Sequence, residues 1–225
     1  MTIDLREEPN YSIPEAAIYL KIPVETLRYW ILGRKYRTGS GITKSEPLIR
    51  IADRKKCLMS FINLVEAHVL SAIRKVHEIP MTKIRAALNF IEENYQTKHP
   101  LADRVLETDG VNLFIREYDE LLNISRKGQL GIKTILEVYL KRIERDESGC
   151  PLRIYPLRSE DSRESKHLMI DPRISFGRLV IAGTGIPVDV LAERYNGGES
   201  IESIARDYGC EEEKITEAIL WQSVA

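Results

Sequence analysis

The sequence predicts an α+β fold, mainly helical: an N-terminal winged helix-turn-helix, a helical hairpin, a small β-containing middle and a C-terminal trihelical, helix-turn-helix-like module. Three observations carry this. Two short capped helices precede a basic, glycine-rich ribbon, apolar residues then recur at helical spacing from Leu58 to Tyr95, and the chain closes with three short helices set apart by glycines. At 225 residues and 43% hydrophobic content the chain can bury a substantial core. The expected organisation is residues 1–100 for the winged head with its hairpin, 101–165 for a small α/β middle region, and 166–225 for the C-terminal module.

Ser12, followed three residues on by Glu15, has the spacing of a capping box and opens a short helix with Ala16, Ala17 and Leu20 on its inner face. Lys21 and Ile22 make a tight connection. Pro23 stands where a second helix can start, because a first-turn proline forfeits no intrahelical hydrogen bond. That helix runs through Leu27 and Trp30 toward Leu32 and stops at Gly33, after which GRKYRTGSGITKSEPLIRI reads as a two-stranded ribbon with a loose tip. Two short helices followed by a ribbon make the winged helix-turn-helix plan.

Leu58, Phe61, Ile62, Val65, Val69, Ile73 and Val76 form an apolar stripe that predicts one long helix from Leu58 onward. Pro80 punctuates it. Met81, Ile84, Leu88, Ile91 and Tyr95 continue the stripe on a second helix, so the two read as a hairpin that packs on the head or on the same pair in another subunit. Between residues 109 and 131, VNLFIREY and ELLNIS alternate enough to read as two strands, followed by a turn at Lys127 and Gly128. The next helix is expected to end near Glu147, broken by Ser148, Gly149 and Pro151, before LRIYPLR returns as a strand. SEDSRESK reads as a surface loop. In the last segment short strands lead into three helices: Asn196, Gly197 and Gly198 close the first, Ser200 caps the second, Gly209 terminates it, and Glu211 to Glu213 crowd the first turn of the third.

Charge separates the two ends. The whole chain carries a net charge of -1, so no molecule-wide field selects a partner. Between Lys21 and Lys56, however, ten cations face only Glu25, Glu46 and Asp53. A duplex reader needs cations for phosphates and a helix whose N-terminal turn can enter the major groove. Glu25, Thr26, Arg28 and Tyr29 on the second helix, with Arg34, Lys35, Arg37 and Lys44 on the ribbon, are therefore the candidate DNA-contacting residues, while Val24, Leu27 and Trp30 belong to the core. Glu25 also fits a plainer role, as a first-turn carboxylate that favours the helix dipole. In the C-terminal module Arg173, Arg178, Arg194, Arg206 and Lys214 are outnumbered two to one by carboxylates, which disfavours phosphate and suits a protein partner or a structural cap.

Other chemistries find little footing. Cys57, Cys150 and Cys210 are odd in number, far apart and without a C-x-x-C partner, which excludes a disulfide framework and a zinc site and fits a reducing cytoplasm. His68, His77, His99 and His167 do not cluster at ligand spacing; neither a catalytic site, a metal nor a cofactor is expected, and packed structural roles suit His68 and His77. Gly177, Gly183 and Gly185 in GRLVIAGTGIP lack phosphate-loop spacing and read as tight turns feeding a helix. Neither a signal peptide nor a membrane-spanning run is expected.

YSIPEAAIYLKIPVETLRYW resembles the helix-turn-helix of MerR-type regulators. SFINLVEAHVLSAIRKVHEIPMTKIRAAL and HPLADRVLETDG resemble the N-terminal region of a VapB-type antitoxin family, and FGRLVIAGTGIPVDVLAERYNGGESIESIARDYG is similar to that family's C-terminal module, long catalogued as a domain of unknown function. The resemblance implies a type II antitoxin that binds and neutralises a PIN-like ribonuclease toxin and represses the shared operon as an oligomer; the expected form is a homodimer whose paired heads read the operator. Many members carry arginine where this chain has Gly185, so a charged contact from that loop is not implied here. The alternative function is a MerR-like, ligand-responsive transcriptional regulator without a toxin partner.

Overall fold

The structure, a computed structural model, describes residues 4–39, 41–75, 81–104, 106, 126–158 and 165–223. Over these residues the fold is α+β and about half helical, with eight α-helices and three small antiparallel sheets. A large apolar cluster runs from Tyr11 to Trp221 and takes side chains from nearly every element, and a smaller one gathers Tyr155, Met169 and Val180.

The head forms as its local signals dictate. Strand β1 (Tyr11–Ser12) leads into α1 (Ile13–Leu20), where Ser12 Oγ accepts from the Glu15 amide at 3.3 Å and Glu15 returns a bond to the Ser12 amide at 3.4 Å, closing the capping box. Lys21, in left-handed conformation at φ 53°, ends that helix, and Ile22 donates back to the Ala17 carbonyl at 3.0 Å. Helix α2 (Val24–Leu32) follows Pro23 and stops at Gly33. Strands β2 (Lys35–Thr38) and β3 (Gly41–Lys44) form the ribbon. Its return segment docks on the end of α2, with the Leu48 and Ile49 amides donating to the Trp30 carbonyl at 2.7 and 3.1 Å, which satisfies a carbonyl the helix leaves free.

Leu58 departs from expectation. It lies not in the long helix but in a short strand, β4 (Leu58–Met59), paired antiparallel with β1, and α3 (Phe61–Lys75) begins only after Ser60. The cause is a polar knot: Asn63 Oδ1 accepts from the Ser60 and Ala52 amides at 3.1 and 3.0 Å, and its Nδ2 donates to the Arg50 carbonyl and to Glu66, both at 3.0 Å. These bonds set the helix start and tie the base of the ribbon segment to α3. Pro80 and His77 lie outside the described residues. Helix α4 (Met81–Tyr95) buries Ile84, Leu88 and Ile91 of the stripe together with Ala87, whereas Met81 is half-buried and Tyr95, in the last turn, is exposed.

The two strands expected before residue 126 also lie outside the described residues. Lys127 and Gly128 do not form a turn: both fall within helix α5 (Arg126–Leu140), which packs along α3. That helix ends at Leu140 and not near Glu147, because Ile143 onward is drawn into a hairpin. Strand β5 (Ile143–Arg145) pairs with β6 (Pro151–Ile154), Ile143 opposite Ile154, and Asp146 Oδ1 receives the Ser148 and Cys150 amides at 3.0 Å in the connecting turn. Strands β7 (Leu168–Ile170) and β8 (Leu179–Ile181) extend the sheet in the order β5-β6-β7-β8. The turn after β8 is closed by Thr184, whose amide donates to the Ile181 carbonyl, and feeds α6 (Val188–Asn196), so Gly183 at φ 80° serves a tight turn. Helix α7 (Ile201–Tyr208) starts at Ser200, whose side chain caps the Ser203 amide, and ends at left-handed Gly209; α8 (Glu212–Ser223) completes the module.

The last helix returns to the first. Trp221, 1% exposed, donates from Nε1 to the Ile18 carbonyl at 3.2 Å, and Lys21 Nζ donates to the Trp221 carbonyl while lying 5.5 Å from its ring centroid. The tail is thereby fastened to the turn between α1 and α2. No helix among the described residues is long and apolar enough to cross a membrane.

His68 sits between α3 and α5 with Nε2 3.1 Å from the Tyr139 carbonyl, and burial pushes its imidazole down to about 4 from an ordinary 6.5. The unfolded chain therefore takes up this proton at higher pH than the folded chain does. Stability is expected to fall as pH drops through that interval, by about 3 kcal/mol in full, and this contribution levels off below it. Urea denaturation of a His68→Gln chain beside the parent between pH 4 and 7 isolates the effect. The gap between the two stabilities should narrow toward low pH; parallel curves would contradict the assignment.

Candidate nucleic-acid interface

Helix α2 turns Leu27 and Trp30 into the core, at 0% and 2% exposure, with Val24 packed at its edge. The 3.6-residue period then leaves Glu25, Arg28 and Tyr29 on the outer face, with Thr26 half-exposed. Arg28 Nη1 lies 3.2 Å from Glu25 Oε1, so the two largest charged groups of this face hold each other in solvent. Such an exposed pair contributes little to stability and leaves both side chains free to exchange partners. Pro23 gives the helix no side-chain cap, so its first-turn amides have no local side-chain acceptor.

The ribbon is fixed to this helix through Gly33 and Ser45. Ser45 donates its amide to the Arg34 carbonyl at 2.9 Å and accepts the Arg34 amide on its hydroxyl at 2.8 Å. Gly33 has φ 74°, and a side chain there would place Cβ 2.0 Å from the Ser45 carbonyl oxygen. Only glycine allows this approach. The Arg34 guanidinium then lies 5.4 Å from the centre of the Tyr29 ring, a cation–π contact that joins the ribbon to the outer face of α2.

Register determines the electrostatics of the ribbon. Lys35 stands directly opposite Lys44, and Arg37, two residues along from Lys35, shares their face. Both lysines and Arg37 are exposed. Like charges facing each other across a strand pair oppose folding, so this arrangement has no structural benefit of its own and suits a polyanion laid along the ribbon. Behind it, the Asp53 carboxylate accepts the Lys55 and Lys56 amides at 2.8 and 3.0 Å, forming a turn that exposes Arg54, Lys55 and Lys56 together. These three belong to the basic excess between Lys21 and Lys56 but lie outside the candidate contacts named from sequence; three consecutive cations after an Asp are the signal for them.

Two cations of the same stretch are diverted from this surface. Lys21 is half-buried under Trp221, and burial lowers its ammonium to about 8. Arg50 pairs with Glu92 of α4 at 2.5 Å. Neither pairing is visible in local sequence, because the partners lie far along the chain.

The C-terminal module has the opposite arrangement. Each of the five cations counted there is paired within the module: Arg173 with buried Asp171, Arg178 with Asp189, Arg194 with Glu199 and Asp207, Arg206 with Glu202, and Lys214 with Glu211. The remaining carboxylates leave the module acidic.

Residues 9–88 match a family described as "Putative DNA-binding HTH domain", and residues 169–221 match one described as "Protein of unknown function (DUF433)". The chain is 28% identical over 234 residues to a Mycobacterium tuberculosis protein named "Putative antitoxin VapB45", covering 96% of this chain and 95% of that protein. A second protein of the same organism, "Uncharacterized protein Rv2308", is 24% identical over 221 residues, 93% of this chain and 88% of that one. The crystal structure of Rv2018 from Mycobacterium tuberculosis shares the fold, with a TM-score of 0.69 over 97% of this chain and 100% of that chain at 23% identity.

The facing lysines make a stability prediction. Replacing Lys44 by threonine removes the repulsion opposite Lys35 and should raise the unfolding free energy by roughly 0.2–1 kcal/mol at low salt, with less gain at high salt. Denaturant titration at two ionic strengths checks this, and a loss of stability at low salt would show that the pair is not repulsive.

Proposed function

We propose that this chain is a non-enzymatic, DNA-binding antitoxin, which as a homodimer reads the operator of its own operon with the paired heads and represses it. Its middle and C-terminal parts bind and neutralise a PIN-like ribonuclease toxin. The observation that carries the DNA-binding part is the cation face of the ribbon, where Lys35, Lys44 and Arg37 stand together beside the outer face of α2. The match of residues 9–88 to a DNA-binding helix-turn-helix family supports the same reading. The likeness to a protein named as an antitoxin, which extends over nearly the whole of both chains, supports the toxin partner.

In this reading Glu25, Thr26, Arg28 and Tyr29 face the major groove. Arg34, Lys35, Arg37 and Lys44 contact phosphates and set the register of the head without reading sequence themselves. The acidic tail, its cations already engaged, adds repulsion toward phosphate and is left for the protein partner.

Operator affinity of the full chain measured against salt tests the phosphate contacts. Lys35→Ala and Arg37→Ala should each lower the magnitude of the log–log slope by about one. Slopes equal to the parent's would take those two residues out of the interface. Co-expression with the adjacent reading frame tests the other half: a stable complex that lacks ribonuclease activity is expected, and a neighbour that neither co-purifies nor is inhibited contradicts the antitoxin reading.

A further inference from the structure

Helices α1 and α2 are separated by Lys21, Ile22 and Pro23 alone. The direction in which α2 presents its outer face is therefore set by three residues, and the tail holds the first of them. Lys21 ends α1 in left-handed conformation, φ 53° and ψ 42°, where glycine or asparagine is the usual occupant. Its amide donates to the Ile18 carbonyl at 3.4 Å, and the same carbonyl, at the open end of the helix, accepts from Trp221 Nε1 at 3.2 Å. The Lys21 side chain lies over the indole, with Nζ 5.5 Å from the ring centroid, and donates to the Trp221 carbonyl. Head and tail thus exchange two hydrogen bonds across one turn.

Two features of this contact work against stability. Left-handed backbone disfavours a residue that carries a Cβ. Burial disfavours the ammonium, lowering it from an ordinary 10.5 to about 8, and the Arg158 guanidinium adds to the effect, so at neutral pH the folded chain carries that charge at a cost. What the contact supplies is geometry. Trp221 is anchored in the tail, because α8 packs along α6 and against β8 and buries Ile215, Ala218 and Ile219. A lysine at this helix end makes the aim of α2 depend on the position of α8.

We propose that Lys21 and Trp221 are positioning residues for DNA binding: they form a latch through which the C-terminal helix holds the turn before α2 in the geometry the duplex requires, and neither touches DNA. A helix-turn-helix reads a groove only when its second helix is held at a fixed angle to the first. The inference rests on the DNA-binding reading above and extends it from the groove-facing residues to a contact with the tail.

Operator affinity of the full chain, measured over a salt series at a temperature where every variant is folded, tests the latch. Lys21→Asn keeps a residue at home in left-handed backbone and removes the ammonium, Trp221→Phe keeps a ring and removes the indole donor, and Lys21→Arg keeps a cation and a donor. The first two should each weaken binding roughly two- to thirtyfold with the log–log salt slope of the parent, and Lys21→Arg should restore parental affinity. Combined in one chain, the two losses should fall short of additive, since each opens the same latch. Parental affinity in both Lys21→Asn and Trp221→Phe overturns the latch and leaves the DNA-binding head standing. A slope lowered by about one in Lys21→Asn assigns that lysine to a phosphate and overturns its positioning role, as does a loss that Lys21→Arg shares in full. A parent without affinity for the operator overturns the latch together with the reading beneath it.

Discussion

Trp221, the largest fully buried side chain among the described residues, is the fastening on which the arrangement of head and tail depends. Its indole nitrogen holds the Ile18 carbonyl at the end of α1, and its own carbonyl takes the Lys21 ammonium from the turn that leads into α2. The last helix and the helix-turn-helix thus share one set of hydrogen bonds and one apolar cluster. Truncating such a tryptophan removes several kcal/mol of packing. It also removes the ring beside the Lys21 ammonium, which still donates to the backbone carbonyl of residue 221, so a disturbance in the tail reaches the turn that aims α2 without passing through the ribbon.

The charges follow from this fastening. Lys21 is taken up by the tail and Arg50 pairs with α4, so the basic stretch of the sequence narrows to the ribbon face with Arg34, the Arg54 to Lys56 turn, and Arg28 beside Glu25 on the outer face of α2. In the tail the carboxylates engage every counted cation, and the surplus stays acidic. A near-neutral chain therefore presents a cationic end and an anionic end. Only the local balance carries information about partners, which is why the net charge is silent.

What was legible in the sequence was what short-range hydrogen bonding decides. The Ser12–Glu15 box, the stops at Gly33 and Gly209 and the cap at Ser200 all stand where the residues placed them, because each is settled within a few positions. What was not legible depended on distant partners. Leu58 fits a helical stripe yet joins β1, since Asn63 fixes the start of α3 by reaching back to Ala52 and Arg50. Lys127 and Gly128 look like a turn yet sit inside α5, where packing along α3 outweighs the low helix preference of glycine. The exposed faces of α2 could be read from its period, whereas the opposition of Lys35 and Lys44 required a register that the glycine-rich tip does not specify. Phe176 has no local signal for its place in the structure, where it is exposed on a turn of left-handed backbone.

Lysine footprinting of the full chain on its promoter fragment tests most directly that the ribbon face meets the duplex. Acetylation read by mass spectrometry should show Lys35 and Lys44 protected by DNA, with Lys214 of the tail labelled equally in both states. Equal labelling of Lys35 and Lys44 with and without bound DNA would contradict the account.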